Sequence, residues 1–153
     1  MKIDEPKKGF SISVTGSMAG VREALTQIRN QLSDLGISEN TCGTVELVLA
    51  EAMNNIAEHA YEPESPGQLH ICARVSPSFL RFDLQDFGKP LPDQGLALGK
   101  LPDHNVPVHD LPEGGFGWFL IRTLAASVKY RRENEKNQLT LSFPRKNMGK
   151  CNL

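Results

Sequence analysis

Cysteine is scarce in this chain, and its three copies are far apart: Cys42, Cys72 and Cys151 among 153 residues. They make no CxxC pair and no disulfide framework, so the thiols are expected to be reduced and the protein cytoplasmic. No apolar run approaches the roughly 18 residues that a membrane-spanning helix needs. The opening MKIDEPKKGF has no apolar stretch behind its lysines, so a secretory signal is not expected. An excess of either charge is also missing. Seventeen Lys and Arg against eighteen Asp and Glu leave a formal net charge of −1. A nucleic-acid binder held by a phosphate-neutralising patch is therefore not expected. The chain shows no internal repeat and no low-complexity segment. It does have 39% hydrophobic and 23% charged residues, the balance of a globular protein. A single domain over 1–153 is expected, large enough to bury a core without staples.

The hydrophobic periods divide the chain into elements. Phe10, Ile12 and Val14 alternate with serines, the period of a half-buried strand. Val21, Leu25, Ile28, Leu32 and Leu35 recur at helical spacing, with Ser17 placed to cap the start and Gly36 to end the helix. Ser38 caps a second, longer helix that stops before Glu62-Pro63. Two strands follow, one through Leu69, Ile71, Ala73 and Val75, the other through Leu80, Phe82 and Leu84, joined by a turn at 76–78. About 28 residues from Phe87 to Gly114 then show no period and are rich in proline and glycine, as in a functional lid or binding loop. An apolar helix from about Phe116 to Ala126 precedes a hairpin: strands Val128–Glu133 and Gln138–Phe143, with the turn at NEKN, 134–137. The core covers about 10–143, and the tail 145–153 is expected to fray. Strands apolar on one face only, with three helices, predict an α/β (α+β) two-layer sandwich. Its mostly antiparallel five-stranded sheet would carry the helices on one face.

Three breaks in these patterns carry chemistry. In the long helix, Glu51, Asn55 and His59 form a polar stripe opposite the core stripe Val45, Val48 or Leu49, Ala52, Met53, Ile56 and Ala60. Glu51 and Asn55 lie about 40° apart and one turn apart. A carboxylate and an amide oxygen so stacked suit a hard cation with water ligands such as Mg²⁺; a solvated helix face would read the same. In the second strand of the pair, the inward parity Leu80, Phe82, Leu84 continues to Asp86. A carboxylate there either meets a donor or starts a wet loop. Gly88, two residues on, marks a place where a ligand or another backbone comes close. In EGGFGWFLIRTLAA, 113–126, glycines open an apolar helix, a setting that favours anions but is common without them. The chain has no GxxxxGK[ST] and no HRD-like catalytic loop.

Taken in order, E-x-x-x-N on a helix, D-x-G after a strand and G-x-G opening a helix resemble the GHKL (Bergerat-fold, histidine-kinase-like) ATPases. The strings AEAMNNIAEHAYE and EGGFGWFLIRTLAASVKY are similar to the bacterial anti-sigma factor serine/threonine-protein kinases. The likeness spans about residues 10–143. It implies that Glu51 orients or deprotonates the attacking hydroxyl and that Asn55 binds Mg²⁺ bridging the phosphates. It implies further that Asp86 accepts the adenine amino group, that Gly88 admits the base, and that the backbone of Gly115 and Gly117 borders the phosphates. Segment 87–115 would be the ATP lid. There are two departures. Many relatives carry a Gly-Thr pair leading into the final strand, where this chain reads Asn137-Gln138-Leu139-Thr140, with Thr140 pointing away from Leu139 and Leu141 by parity. Lys89-Pro90 stands where many carry a second glycine.

The resemblance implies a homodimeric switching kinase that binds Mg-ATP. Such a kinase holds a sigma factor and phosphorylates a serine on a STAS-domain anti-sigma factor antagonist. The alternative is a non-catalytic ATP-binding module that only sequesters a partner. Glu51 favours the kinase, because a binder has no need of that base.

Overall fold

The computed structural model describes residues 8–90 and 121–145. Within them the chain runs β1 (Lys8–Thr15), α1 (Met18–Asp34), α2 (Glu39–His59), β2 (Gln68–Val75), β3 (Phe79–Asp86), β4 (Ser127–Glu133) and β5 (Lys136–Pro144). The five strands form one sheet in the order β1-β2-β3-β5-β4. Every neighbouring pair is antiparallel. Residues 121–124 are helical, with Ile121 buried. The rest of the helix expected over 116–126, from 116 to 120, lies outside the described residues.

The helix ends follow their local chemistry. Ser17 Oγ accepts from Gly20 N to open α1, and Ser38 Oγ accepts from Thr41 N to open α2. Each satisfies a backbone donor that the first helical turn leaves free. Between the helices Gly36 takes φ +83°, a conformation that costs a residue with a Cβ but not glycine. Val21, Ala24, Ile28 and Leu32 of α1 and Val45, Leu49, Met53 and Ile56 of α2 share one core with the inward side chains of the sheet. Arg29 of α1 donates to Glu39 and Glu46 of α2 and ties the two helices at the surface. The other sheet face carries Arg81, Asp83, Thr140 and Ser142, so the apolar/polar alternation along each strand is that of a sheet covered on one side. Cys42 is buried in the core, whereas Cys72 sits half-buried on the open face.

The hairpin is tighter than its sequence suggests. The turn was expected over 134–137, but Glu133 pairs with Lys136. Only Asn134 and Glu135 form the loop, with φ 52° and 64°. Both lie in the left-handed region, as a two-residue type I′ hairpin requires. Asn-Gly or Asp-Gly signals that turn readily; a Glu in its second position hides it. Strand β5 therefore starts two residues earlier and takes in Asn137. Arg145, expected to belong to the frayed tail, is anchored instead: its N–H donates to Ser78 O and its guanidinium to Ser76 O. Residues 146–153 lie outside the described residues. Among the described residues no helix is long and apolar enough to cross a membrane.

Candidate active site

Helix α2 carries Glu51 and Asn55 one turn apart, and the two differ in exposure. Glu51 is half-buried, whereas Asn55 is only 6% exposed. The stripe expected to run through Glu51, Asn55 and His59 is thus not a uniformly wet face. His59 and Glu58 at the helix end are exposed, with His59 Nε2 3.7 Å from a Glu58 carboxylate oxygen. Asn55 Nδ2 is buried and has no hydrogen-bond partner among the described residues. A buried amide is ordinarily satisfied, so an unspent one on this stripe marks a place where a ligand can be met.

Asp86 ends β3 on the core face, as its parity requires, and is 2% exposed. Both hydrogen bonds it accepts fall on Oδ1: from Gly88 N at 2.9 Å and from Asn137 Nδ2 at 2.7 Å. Among the described residues nothing donates to Oδ2. Burial pushes the Asp86 carboxyl above its ordinary range, opposed by the Asn137 amide, the Gly88 N–H and the Arg132 charge.

Gly88 answers the expectation of a close approach with a backbone. A Cβ built on it would stand 2.1 Å from Ala60 O. The same carbonyl accepts from Lys89 N at 2.9 Å, and Lys89 Nζ lies 3.1 Å from Glu62. Beside it, Tyr61 Oη accepts from Phe87 N at 2.9 Å and donates to Gln68 O at 2.7 Å. Burial raises the Tyr61 phenol. Residues 87–89 are therefore stitched to the end of α2, which fixes Asp86 against that helix. Helical rise then sets an order along α2: Asn55 lies about 7.5 Å, and Glu51 about 13.5 Å, back along the axis from Ala60.

Asn137 was not singled out as a site residue by the sequence. It stands opposite Asp86 across β3 and β5 and is 2% exposed. Its Nδ2 also reaches Gly88 O at 3.2 Å and Lys89 O at 3.0 Å. Its Oδ1 accepts from Tyr130 Oη at 2.7 Å and from Arg132 at 2.8 Å. Arg132 donates as well to Gly88 O at 2.9 Å. One signal could have found it. Extending the inward parity of Leu139, Leu141 and Phe143 back by two reaches a polar residue, as the parity of β3 reaches Asp86. Thr140 does face the other way: its Oγ1 donates to Asp83 at 2.6 Å on the open face. Gly115, Gly117 and residues 91–115 of the expected lid lie outside the described residues.

The family model for the histidine kinase-like ATPase domain matches residues 14–143. A serine-protein kinase RsbW of Oceanobacillus iheyensis is 27% identical over 113 residues, 73% of this chain and 70% of that protein. The serine/threonine-protein kinase BtrW of Bordetella bronchiseptica is 31% identical over 100 residues, 65% of this chain and 68% of that protein. Two solved structures share the fold. The RsbU and RsbW domains of Rv1364c from Mycobacterium tuberculosis match with TM-score 0.63 at 14% identity, over 89% of this chain and 32% of that one. The SiaB–SiaC complex from Pseudomonas aeruginosa matches with TM-score 0.62 at 14% identity, over 88% of this chain and 89% of that one. The chain belongs to the histidine kinase-like ATPase domain family. Within the GHKL superfamily it falls in the anti-sigma factor serine-kinase family, and it is a protein-serine/threonine kinase with an ATP-binding domain.

Proposed function

We propose that the chain is a cytoplasmic, homodimeric partner-switching kinase. It binds Mg-ATP, sequesters a sigma factor and phosphorylates a serine on a STAS-domain antagonist. One ATPase domain spans the chain, with 87–115 as its lid. The observation that carries this reading is the order Asp86, Asn55, Glu51 along α2, fixed by the stitching of Gly88 and Lys89 to Ala60. Asp86 takes the adenine amino group at one end. Asn55 meets the metal and phosphates one to two turns on. Glu51 stands a further turn along, where an incoming hydroxyl meets the γ-phosphate.

The residues present fit these groups. Asp86 is a buried acceptor with no donor to Oδ2 among the described residues, and Asn55 is a buried amide whose Nδ2 has no partner among them. Asn55 supplies one neutral oxygen, which suits an ion that keeps water and phosphate as its other ligands. Mg²⁺, when bound, neutralises phosphate charge and fixes the phosphates' orientation. Glu51 orients the serine hydroxyl and accepts its proton as the bond to phosphorus forms. By the resemblance, Gly115 and Gly117 border the phosphates with backbone N–H groups.

The test is incubation with labelled Mg-ATP and each STAS protein encoded beside the gene. Label on one serine of one of them is expected. ATP binding with no transfer to any of them would replace the kinase with the non-catalytic sequestering module.

A further inference from the structure

Every hydrogen bond that the Asn137 side chain donates goes to the Asp86 carboxylate or to the chain beside it. The orientation of its amide is settled by its neighbours: Arg132 can only donate, so the atom facing it is Oδ1 and the atom facing Asp86 and two carbonyls is Nδ2. A side chain packed at the inward face of a strand and held at both ends cannot turn. Tyr130 and Arg132 on β4 hold the oxygen, and residues 86–89 hold the nitrogen. The carboxylate it meets is held in turn, because the Asn137 and Gly88 donors both take Oδ1.

We propose that Asn137 is a positioning residue for nucleotide selection: by occupying Oδ1 of Asp86 it aims Oδ2 at the base and restricts the site to a purine bearing a 6-amino group. The inference rests on the reading that Asp86 accepts from adenine. An ionised carboxylate accepts and never donates. It therefore matches the amino group of adenine and repels the 6-carbonyl of hypoxanthine or guanine. The same contact opposes the upward push that burial gives the carboxyl. Without it, Oδ1 is released and the carboxyl can turn, so Oδ2 is no longer aimed and discrimination is lost. The Asn137 amide touches no substrate in this scheme; it acts through Asp86.

The experiment compares ADP with IDP, which differ at the 6-position, by titration calorimetry on the full chain. The wild type is expected to prefer ADP, and Asn137→Ala to lower the ADP/IDP affinity ratio about tenfold, the loss of one buried contact. Asn137→Leu, close in volume and free of donors, is expected to do the same and serves if the alanine variant does not fold. Each ratio is taken within one variant, so a general loss of stability or affinity does not move it. A ratio within twofold of the wild type in the Asn137 variants, while Asp86→Asn collapses it, overturns the role of Asn137 alone. A ratio unmoved in Asp86→Asn as well overturns the adenine assignment and this inference with it.

Discussion

Gly88 lies so close to Ala60 that a Cβ on the glycine would stand 2.1 Å from the Ala60 carbonyl oxygen. The obstacle is backbone, and a backbone carbonyl already accepting from Lys89 N cannot rotate away. Gly88→Ala is therefore expected to part residues 87–89 from α2 and to destabilise the fold by about 1–3 kcal/mol, the usual cost of overpacking. Urea unfolding measures it. An alanine variant as stable as the wild type would mean that this approach is easily relaxed.

Glu51→Ala is expected to separate chemistry from binding. Glu51 is half-buried and lies more than two turns back from Ala60, where Gly88 and Lys89 meet the end of α2. Phosphoryl transfer to the antagonist's serine should fall roughly a hundred- to ten-thousandfold, the range for loss of a general base. Binding of ATP and of the sigma factor should persist. Transfer at a near wild-type rate would leave Glu51 a purely positional role.

Asn55→Asp places a carboxylate where the structure has a buried amide. Without nucleotide the new charge is desolvated, so the variant is expected to melt below the wild type. On the proposed role of Asn55 it should also lose Mg-dependent ATP binding, because the added charge would face the phosphates and change the metal's ligand set. Calorimetry with Mg-ATP decides the point: wild-type affinity would remove Asn55 from the metal site.

The Asp86 carboxyl predicts a pH slope of definite sign. Its proton is held more tightly in the folded chain than at the ordinary value of 3.8. Between the ordinary and the raised value the native state binds more protons than the unfolded state, so stability falls as pH rises. The group's contribution is full below about pH 4 and is lost on the way up. Asp86→Asn lacks this slope. The wild-type melting temperature minus that of the variant should therefore decline as pH is raised from about 4 to neutrality. A flat or rising difference would mean that Asn137, Gly88 and Arg132 fully offset the burial.

Much of the fold was legible because its signals are local. Ser17 and Ser38 cap the helices they precede, and Gly36 ends α1 with a positive φ. Alternation along β2, β3 and β5 set which side chains face the core, and so put Asp86 inside. Glu51 and Asn55 share a stripe by helical arithmetic alone. A two-residue error at the hairpin, by contrast, keeps the parity and is not detectable from alternation, and a Glu at the left-handed position 135 gave no warning of it.

Sequence order and period thus determined the elements, the inward faces and the residues that break them. Tertiary structure alone decided what those breaks meet. Asp86 and Asn137 are 51 residues apart in the chain, and only the β3–β5 register sets them opposite each other. Ala60 and Gly88 belong to a helix end and a loop that no period connects, yet the two backbones meet in the fold. The physical reason is that periodicity fixes which way a side chain points. What it points at depends on strand register and on the packing of helix against sheet, which are properties of the folded chain.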